Sequence, residues 1–590
     1  MSLFAELKRR NVVRIAVLYI AASWATLRAA SVLFGILDVP PWAGKLVLSL
    51  LVLGFPVVLV LSWIYEITPE GFRKVKRPPG GEAAAATNRR KLDIAIGLLA
   101  TVAIVTIAVD RLMPERAAPV AAPEPVAPMP AVVTGDARSI AVLPFMDMSQ
   151  SRDQEYFADG LSEELMTALA RIEDLRVIGR TSSFQYKGRH EDLRAIGGSL
   201  GVAHLLEGSV RKAGKHLRIT AQLIRAADGS QLWSEIYDRN VDDIFALQDE
   251  IAAAVAGALK VRLTVSNPAA APARRDIEAY NRYLQGRFQL ELRTRDALDL
   301  ALAHFQAAVE LDPRDALAWV GLSETYTSRA SYTVQMPLDE GYRLGRAAAE
   351  RALALDPALA HAHAAIGYIQ AVYDWNWPAA DASLDRAVQL APRNPDILMK
   401  AALQDQTMGR FERSIARYRQ AIELDPLRAG LRYNLARVYL VLGQNRDAEA
   451  LARHVIEMMP SGGGLYVMLA ETLLAQGKMD DAGSVIAHES DPLWKLYGVA
   501  LIDFARGRRT EADAALNALV AGYGTVAAYQ IGEIYAFRGE REAALTWLER
   551  AFKQRDGGLT EILTSRHFGL LKSDPQYRAL LVRLGLPAPA

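Results

Sequence analysis

The stretch YFADGLSEEL at 156–165 sets Asp159, Glu163 and Glu164 around Ser162. Carboxylates at that density can hold a metal ion or share acid/base work. They are also what a helix start requires. Leu161, Leu165 and Leu169 recur every four residues, with Ala168 and Ile172 beside them, which marks one face of a helix. Asp159 and Ser162 then stand where N-caps stand, and Glu163 and Glu164 in a first turn whose dipole favours negative charge. The expectation is a solvated helix start, with no metal or catalytic site.

Other chemical motifs fail on context. GGSLG (197–201) has the spacing of a serine-hydrolase elbow around Ser199, but that chemistry needs a strand, a sharp turn and then a helix. Here the motif closes a helix that leads into a strand, and Gly201 suits a left-handed stop. GSVRKAGK (208–215) approaches a phosphate-binding loop, yet five residues separate its glycines and His216 stands where a Mg²⁺-binding hydroxyl belongs. It reads as a hairpin turn. His361 and His363 are two apart on a helix and point in different directions, which argues against a shared metal. Trp375 and Trp377 in YDWNWP (373–378) sit in a turn between helices, where packing under the loop is favoured over a binding ridge. The chain has no cysteine, so thiolate chemistry and disulfides are excluded. No catalytic residue, cofactor site or metal site emerges, and the partner-binding residues stay open.

The elements around these motifs alternate between strand and helix. SIAVLPF (139–145) and LRVIGRT (175–181) are strand candidates, and HEDLRAIGGSLGV (190–202) a helix. Two hairpins follow, over 204–212, 216–225 and 230–238. In the middle strand Leu217, Ile219, Ala221 and Leu223 alternate with Arg218, Thr220 and Gln222. A helix over 243–260 closes the region. The pattern predicts an α/β sandwich on a mixed sheet. SIAVLPFMDMSQSRDQEYFADGLSEEL, LRVIGRTSSFQYKG, LGVAHLLEGSVRK, RITAQLIRAADGSQLWSEIYDR and DIFALQDEIA together resemble the TolB-like amino-terminal domain of bacterial membrane-tethered regulators. That resemblance runs from about 138 to 262. It implies a domain outside the inner membrane, followed by tetratricopeptide repeats, as in the extracytoplasmic part of CadC-like regulators and some cyclase-linked proteins. The family's DNA-binding or cyclase output domain has no counterpart before the first apolar run, and the TolB-like domain brings no catalytic residues to transfer.

At 590 residues the chain needs several cores, and its net charge of +1 hides an asymmetry. Residues 1–116 hold 15 Lys/Arg against 8 Asp/Glu, a net of +7. Apolar runs at 15–37, 45–67 and 92–109 are each long enough to cross a bilayer as helices. Lys8, Arg9 and Arg10 precede the first, Arg73 to Lys91 lie between the second and third, and the loop 38–44 has no basic residue. The positive-inside rule then predicts a multi-pass bacterial inner-membrane protein, N-terminus cytoplasmic and later domains periplasmic. Arg28, inside the first run, is expected to snorkel or face another helix. A Pro/Ala-rich linker over 113–137 would space the soluble part from the bilayer.

After 277 the sequence repeats itself. AVELDP, ALALDP, AVQLAP, AIELDP and VIEMMP end at Pro313, Pro357, Pro392, Pro426 and Pro460, spaced 44, 35, 34 and 34 apart. A 34-residue period is the tetratricopeptide signature. The expected organisation is a membrane domain (1–112), the linker, a TolB-like α/β domain (138–265), about eight all-α repeats (277–556) and a capping segment (557–590). Stacked helix pairs make a groove for a peptide. The function expected is a non-catalytic, membrane-anchored scaffold or assembly factor with a protein or peptide partner in the periplasm, no nucleic acid and no small-molecule substrate. The alternative is a sensing subunit that relays a periplasmic event to a cytoplasmic partner.

Overall fold

The computed structural model describes residues 137–172, 174–189, 191–259, 276–331 and 335–587, with residues 19, 23, 26 and 51 and two short strands nearer the N-terminus. The chain divides into two units, Met1–Ala127 and Pro128–Ala590. In the first, β1 (Tyr65–Thr68) pairs antiparallel with β2 (Gly71–Lys74), Tyr65 opposite Lys74. This corrects the sequence reading. Among the described residues no helix is long and apolar enough to cross a membrane. The end of the run at 45–67 is a strand, built from Tyr65, Ile67 and Thr68, types that favour extended backbone. The three-span fold class and the multi-pass inner-membrane placement are overturned on this finding. Hydropathy measured only how long the apolar runs are, and it does not fix their conformation. Apart from residues 19, 23, 26 and 51, the rest of the three runs, Arg28 and most of the basic stretch at 73–91 lie outside the described residues.

In the second unit β3 (Ser139–Val142) and β4 (Met146–Asp147) lead into α1 (Glu155–Ala170), then β5 (Arg176–Val177) and α2 (Leu193–Leu200). Three ten-residue strands follow, β6 (His204–Ala213), β7 (His216–Arg225) and β8 (Gln231–Asn240), and α3 (Ile244–Ala258) ends the domain. The sheet order is β5-β3-β6-β7-β8, with β3 parallel to both neighbours and β6 to β8 antiparallel. This is the mixed sheet the alternation predicts. Leu217, Ile219, Ala221 and Leu223 are buried with Phe157, Leu161 and Leu165 of α1 and Ile251 and Val255 of α3.

The all-α solenoid comes next, in eight helix pairs: α4 (Ile277–Leu292) with α5 (Arg295–Leu311), α6 (Ala316–Ser331) with α7 (Leu338–Leu355), α8 (Ala360–Ile369) with α9 (Trp377–Leu390), and α10 (Pro395–Thr407) with α11 (Phe411–Leu424). Then come α12 (Ala429–Val441) with α13 (Asn445–Met458), α14 (Leu465–Leu474) with α15 (Met479–Ile486), α16 (Pro492–Ala505) with α17 (Arg509–Tyr523), and α18 (Ala528–Phe537) with α19 (Arg541–Gln554). Small residues let helices meet. A Cβ on Gly321 would lie 2.3 Å from the Phe305 ring, so only glycine admits that contact. Two first helices, α10 and α16, start on Asx-Pro pairs: Asn394 and Asp491 each accept two backbone N–H groups, and the following proline supplies a first helical residue with no N–H to satisfy. After α19 the chain makes two single turns at 557–561 and 567–571 and ends in α20 (Pro575–Arg583).

Candidate functional site

The opening acidic stretch is helical from Glu155, four residues before the expected cap, because Phe157 also belongs to the buried face. Asp159 and Ser162 are therefore inside the helix and do not cap it. Ser162 is fully buried, donates to Ala158 O (3.0 Å) and accepts from Phe145 N–H (2.9 Å). Asp159 is 3% exposed and lies 2.6 Å from Lys187 Nζ, while burial, outweighing that partner, raises its carboxyl above the ordinary range. Glu163 pairs with Arg180 (2.5 Å), which also meets Glu291 of α4 (3.4 Å). Asp159 and Glu163 thus face cations of their own chain. Ser199 is exposed on α2, whose end is Gly201 in left-handed geometry (φ 64°). GSVRKAGK is the second half of β6 and the Gly214–Lys215 turn into β7. His361 lies beside Asn394 (3.3 Å) and His363 beside Pro357 O (2.9 Å), so the two imidazoles diverge.

Two parts of the chain close on the solenoid. The first is the α/β domain. Gly179 N–H donates to Leu424 O (2.7 Å), and Ser182 gives both its N–H (2.8 Å) and its hydroxyl (2.5 Å) to Asp425 Oδ1. Leu427 N–H returns to the Ser182 hydroxyl (2.8 Å). Asp425 is the aspartate of the AIELDP turn and is 1% exposed at its side chain. Burial lifts its pKa, against the pull of Ser182 and Arg428. The aspartates at the same place in other repeats, Asp312 and Asp356, accept only backbone N–H groups two residues on. Spacing could not distinguish them.

The second is the C-terminal segment, which runs back across the first helices. Glu561 pairs with Arg437 of α12 (2.7 Å), Arg566 reaches Asn445 (3.2 Å), and His567 Nε2 meets Glu471 of α14 (2.7 Å). Farther on, Leu584 O accepts from Trp377 Nε1–H (2.6 Å), Trp375 stacks obliquely on Phe552 at 5.3 Å, and Arg555 lies over both Tyr373 and Trp375. Trp377 is thus 2% exposed, with the C-terminal segment packed against it.

Between α12, α14, α16, α18 and residues 561–567 a chamber of about 290 Å³ remains. Trp494, Tyr433 and Phe537 give it aromatic walls, and Arg437, Glu471, Glu533 and His567 bring charge to it. Tyr497 Oη lies 3.2 Å from Glu471 and 3.0 Å from Glu533. A phenol has one proton, so at any moment only one carboxylate receives it. Burial opposes charge on Glu471, but the hydrogen bond and charge of His567 outweigh it and hold that carboxyl below its usual range. Burial opposes charge on His567 too, and Glu471 outweighs it, so the imidazole is raised. Glu533 goes the other way: burial first, then the charge of Glu471, push it up to about 7. None of these residues stood out in the sequence. For Arg437, Glu471, Tyr497 and Glu533 the only signal was position on successive first helices, and His567 had none.

With that geometry in view, the known proteins divide by region. Residues 136–254 match the second domain of HilA/YgeH-like transcriptional regulators, and 406–460 match a tetratricopeptide-repeat family. A protein of Rhizobium meliloti (strain 1021) called "Putative adenylate cyclase 3" is 42% identical over 188 residues, 31% of this chain and 32% of that protein. The chain thus spans about a third of the length of that curated relative. Among solved structures, pilF of Pseudomonas aeruginosa is 18% identical, covering 39% of this chain and all of its own, at a TM-score of 0.31. PilW, a widely conserved type IV pilus biogenesis factor, is 16% identical, covering 40% and 98%, at 0.30. Likeness at that level adds nothing to what the helix pairs themselves establish.

Proposed function

We propose that the protein is a non-catalytic interaction scaffold that takes a protein or peptide segment into the concave face of its repeats. The chamber bounded by four successive first helices carries this reading, because it joins aromatic walls to a few placed charges in the manner of a recognition site. Tetratricopeptide arrays present that face to peptides, and the chain's own C-terminal segment already lies against it with side-chain and backbone contacts. The α/β domain then acts as a fixed wall at the other end, and its TolB-like character remains our own reading beside the family match. The relay alternative depended on membrane spans and falls with them. The cyclase named in the relative is not carried over, since the match covers about a third of that protein.

A photo-crosslinking residue at Gln530, inside the chamber, tests this against one at Glu457 on the outer helix α13, in the full chain in cells. A defined polypeptide captured from 530 and absent from 457 is the expected result. Capture that is equal from both positions, or none from 530, sinks the proposal.

A further inference from the structure

Glu533 stands apart from the other charged groups of the chamber. It is 7% exposed and lines the open space. Arg437 is taken by Glu561 and His567 by Glu471. Among the described residues no cation lies within ion-pair distance of Glu533. Its contact from α16 is the Tyr497 hydroxyl, already shared with Glu471, and Ser565 reaches it from the C-terminal segment. Tyr529, on the same helix, adds another buried hydroxyl with no hydrogen-bond partner. A buried carboxylate served by two neutral hydroxyls, one of them shared, and by no cation is costly unless it binds a proton or a positive group. The space before it is walled by Trp494, Tyr433 and Phe537, whose ring faces favour a cation.

We infer that the chamber is a receptor for a single alkylammonium group, held by the Glu533 carboxylate between aromatic rings, and that the partner supplies it as a lysine side chain. The inference rests on the groove-binding function above and names the chemistry that function selects. Size agrees, because the C-terminal segment crosses the groove at 561–567 and leaves room for a side chain and not for a continuous helix. Around Glu533 the titratable groups are Arg437 and Tyr433 from α12, Glu471 from α14, Tyr497 from α16, Tyr529 from its own helix, and Glu561, His567 and Tyr577 from the terminal segment. Raising the pH through about 7 makes Glu533 negative, and that change favours an incoming cation.

Calorimetric titration of the full chain with Nα-acetyl-lysine N-methylamide tests this, beside the norleucine and glutamate analogues and n-butylamine. The expected result is binding of the lysine amide at least tenfold tighter than of norleucine, no binding of glutamate, and affinity rising at least threefold from pH 6 to pH 8. In Glu533→Gln the lysine preference and the pH dependence both disappear. Glutamine imitates the protonated acid, so this variant should melt near the wild type at pH 6; if it does not fold, the wild-type pH series alone decides. Butylamine binding as tightly as the lysine amide assigns the same site to free amines, and weaker butylamine binding assigns it to peptides. Equal affinity for lysine and norleucine, or a preference unmoved by pH, overturns the inference. Capture of a polypeptide from Gln530 with no lysine preference would leave the scaffold standing and remove only the ammonium site. Lysine-amide binding with no capture would do the reverse.

Discussion

The two places where the chain closes on its own repeats are built differently. At the α/β domain the contact closest in hydrogen bonds is one turn, where Gly179 N–H donates to Leu424 O, Ser182 donates twice to the buried Asp425 and Leu427 N–H returns to the Ser182 hydroxyl, flanked by the ion pair from Arg180 to Glu291 of α4. At the C-terminal segment it is spread over several helices and uses charge, through Glu561 with Arg437 and His567 with Glu471, and it ends on a buried tryptophan. Hydrogen bonds that close around one turn fix one position. A row of ion pairs around a chamber leaves one carboxylate, Glu533, to respond to what enters. The first junction is a joint and the second is a site.

The largest effect should come from removing the anchor of the second junction. Trp377→Ala deletes a core side chain and strands Leu584 O, and should cost about 3–5 kcal/mol. Chemical denaturation measures it, and a loss under 1 kcal/mol would mean the terminal segment is not held there.

Next in size is pH. Glu533 is raised from 4.5 to about 7, so the native state binds the extra proton and stability falls as pH rises through that window. His567 adds in the same direction: its stabilisation is complete below pH 6.5 and is lost as pH rises through its raised folded-state value. Glu471 is depressed, and its contribution is lost only as pH falls through its lowered folded value. Stability should therefore drop between about pH 5 and pH 8, by about 3 kcal/mol at most from Glu533, and Glu533→Gln should flatten the drop. Unfolding curves at pH 5.5 and 8 decide it. A wild type that gains stability over that range would erase the contrast between the junctions.

Asp425→Ala strips the acceptor from two Ser182 donors and should cost about 1–3 kcal/mol, whereas Asp356→Ala, the same residue of another repeat, should cost about 1 kcal/mol or less. Equal costs would mean Asp425 does nothing beyond shaping its turn. The smallest effect is expected at Ser199→Ala on α2, within about 0.5 kcal/mol and with crosslinking from Gln530 unchanged. Loss of function there at unchanged stability would revive the hydrolase that the helix geometry argues against.

Periodicity exposed what is local. Leu217 to Leu223 marked a half-buried strand and the 34-residue proline spacing marked the repeats, since each repeat packs on its neighbours and must carry its own apolar pattern. The acidic stretch was legible as helix but not in its role, because Leu161 drew the start four residues late and hid Asp159 and Ser162 inside. The apolar runs misled for a related reason: hydropathy reports the wish to leave water and not the backbone that satisfies it, and the 45–67 run ends as a strand.

By itself, then, the sequence determined the mixed sheet, its hairpins and the helix pairs, because alternation, turn glycines and small-residue spacing act over a few positions. Only the tertiary structure decided which LDP aspartate would hold Ser182 and which tryptophan would receive Leu584 O. It also decided that Glu471, Glu533 and His567 would share one chamber. Those partners are 243, 207 and up to 96 residues apart, and a repeat shows the same motif wherever it stands. The superhelix brings a distant segment to one copy and not to the next, and burial then gives that copy chemistry its sequence shares with all the others.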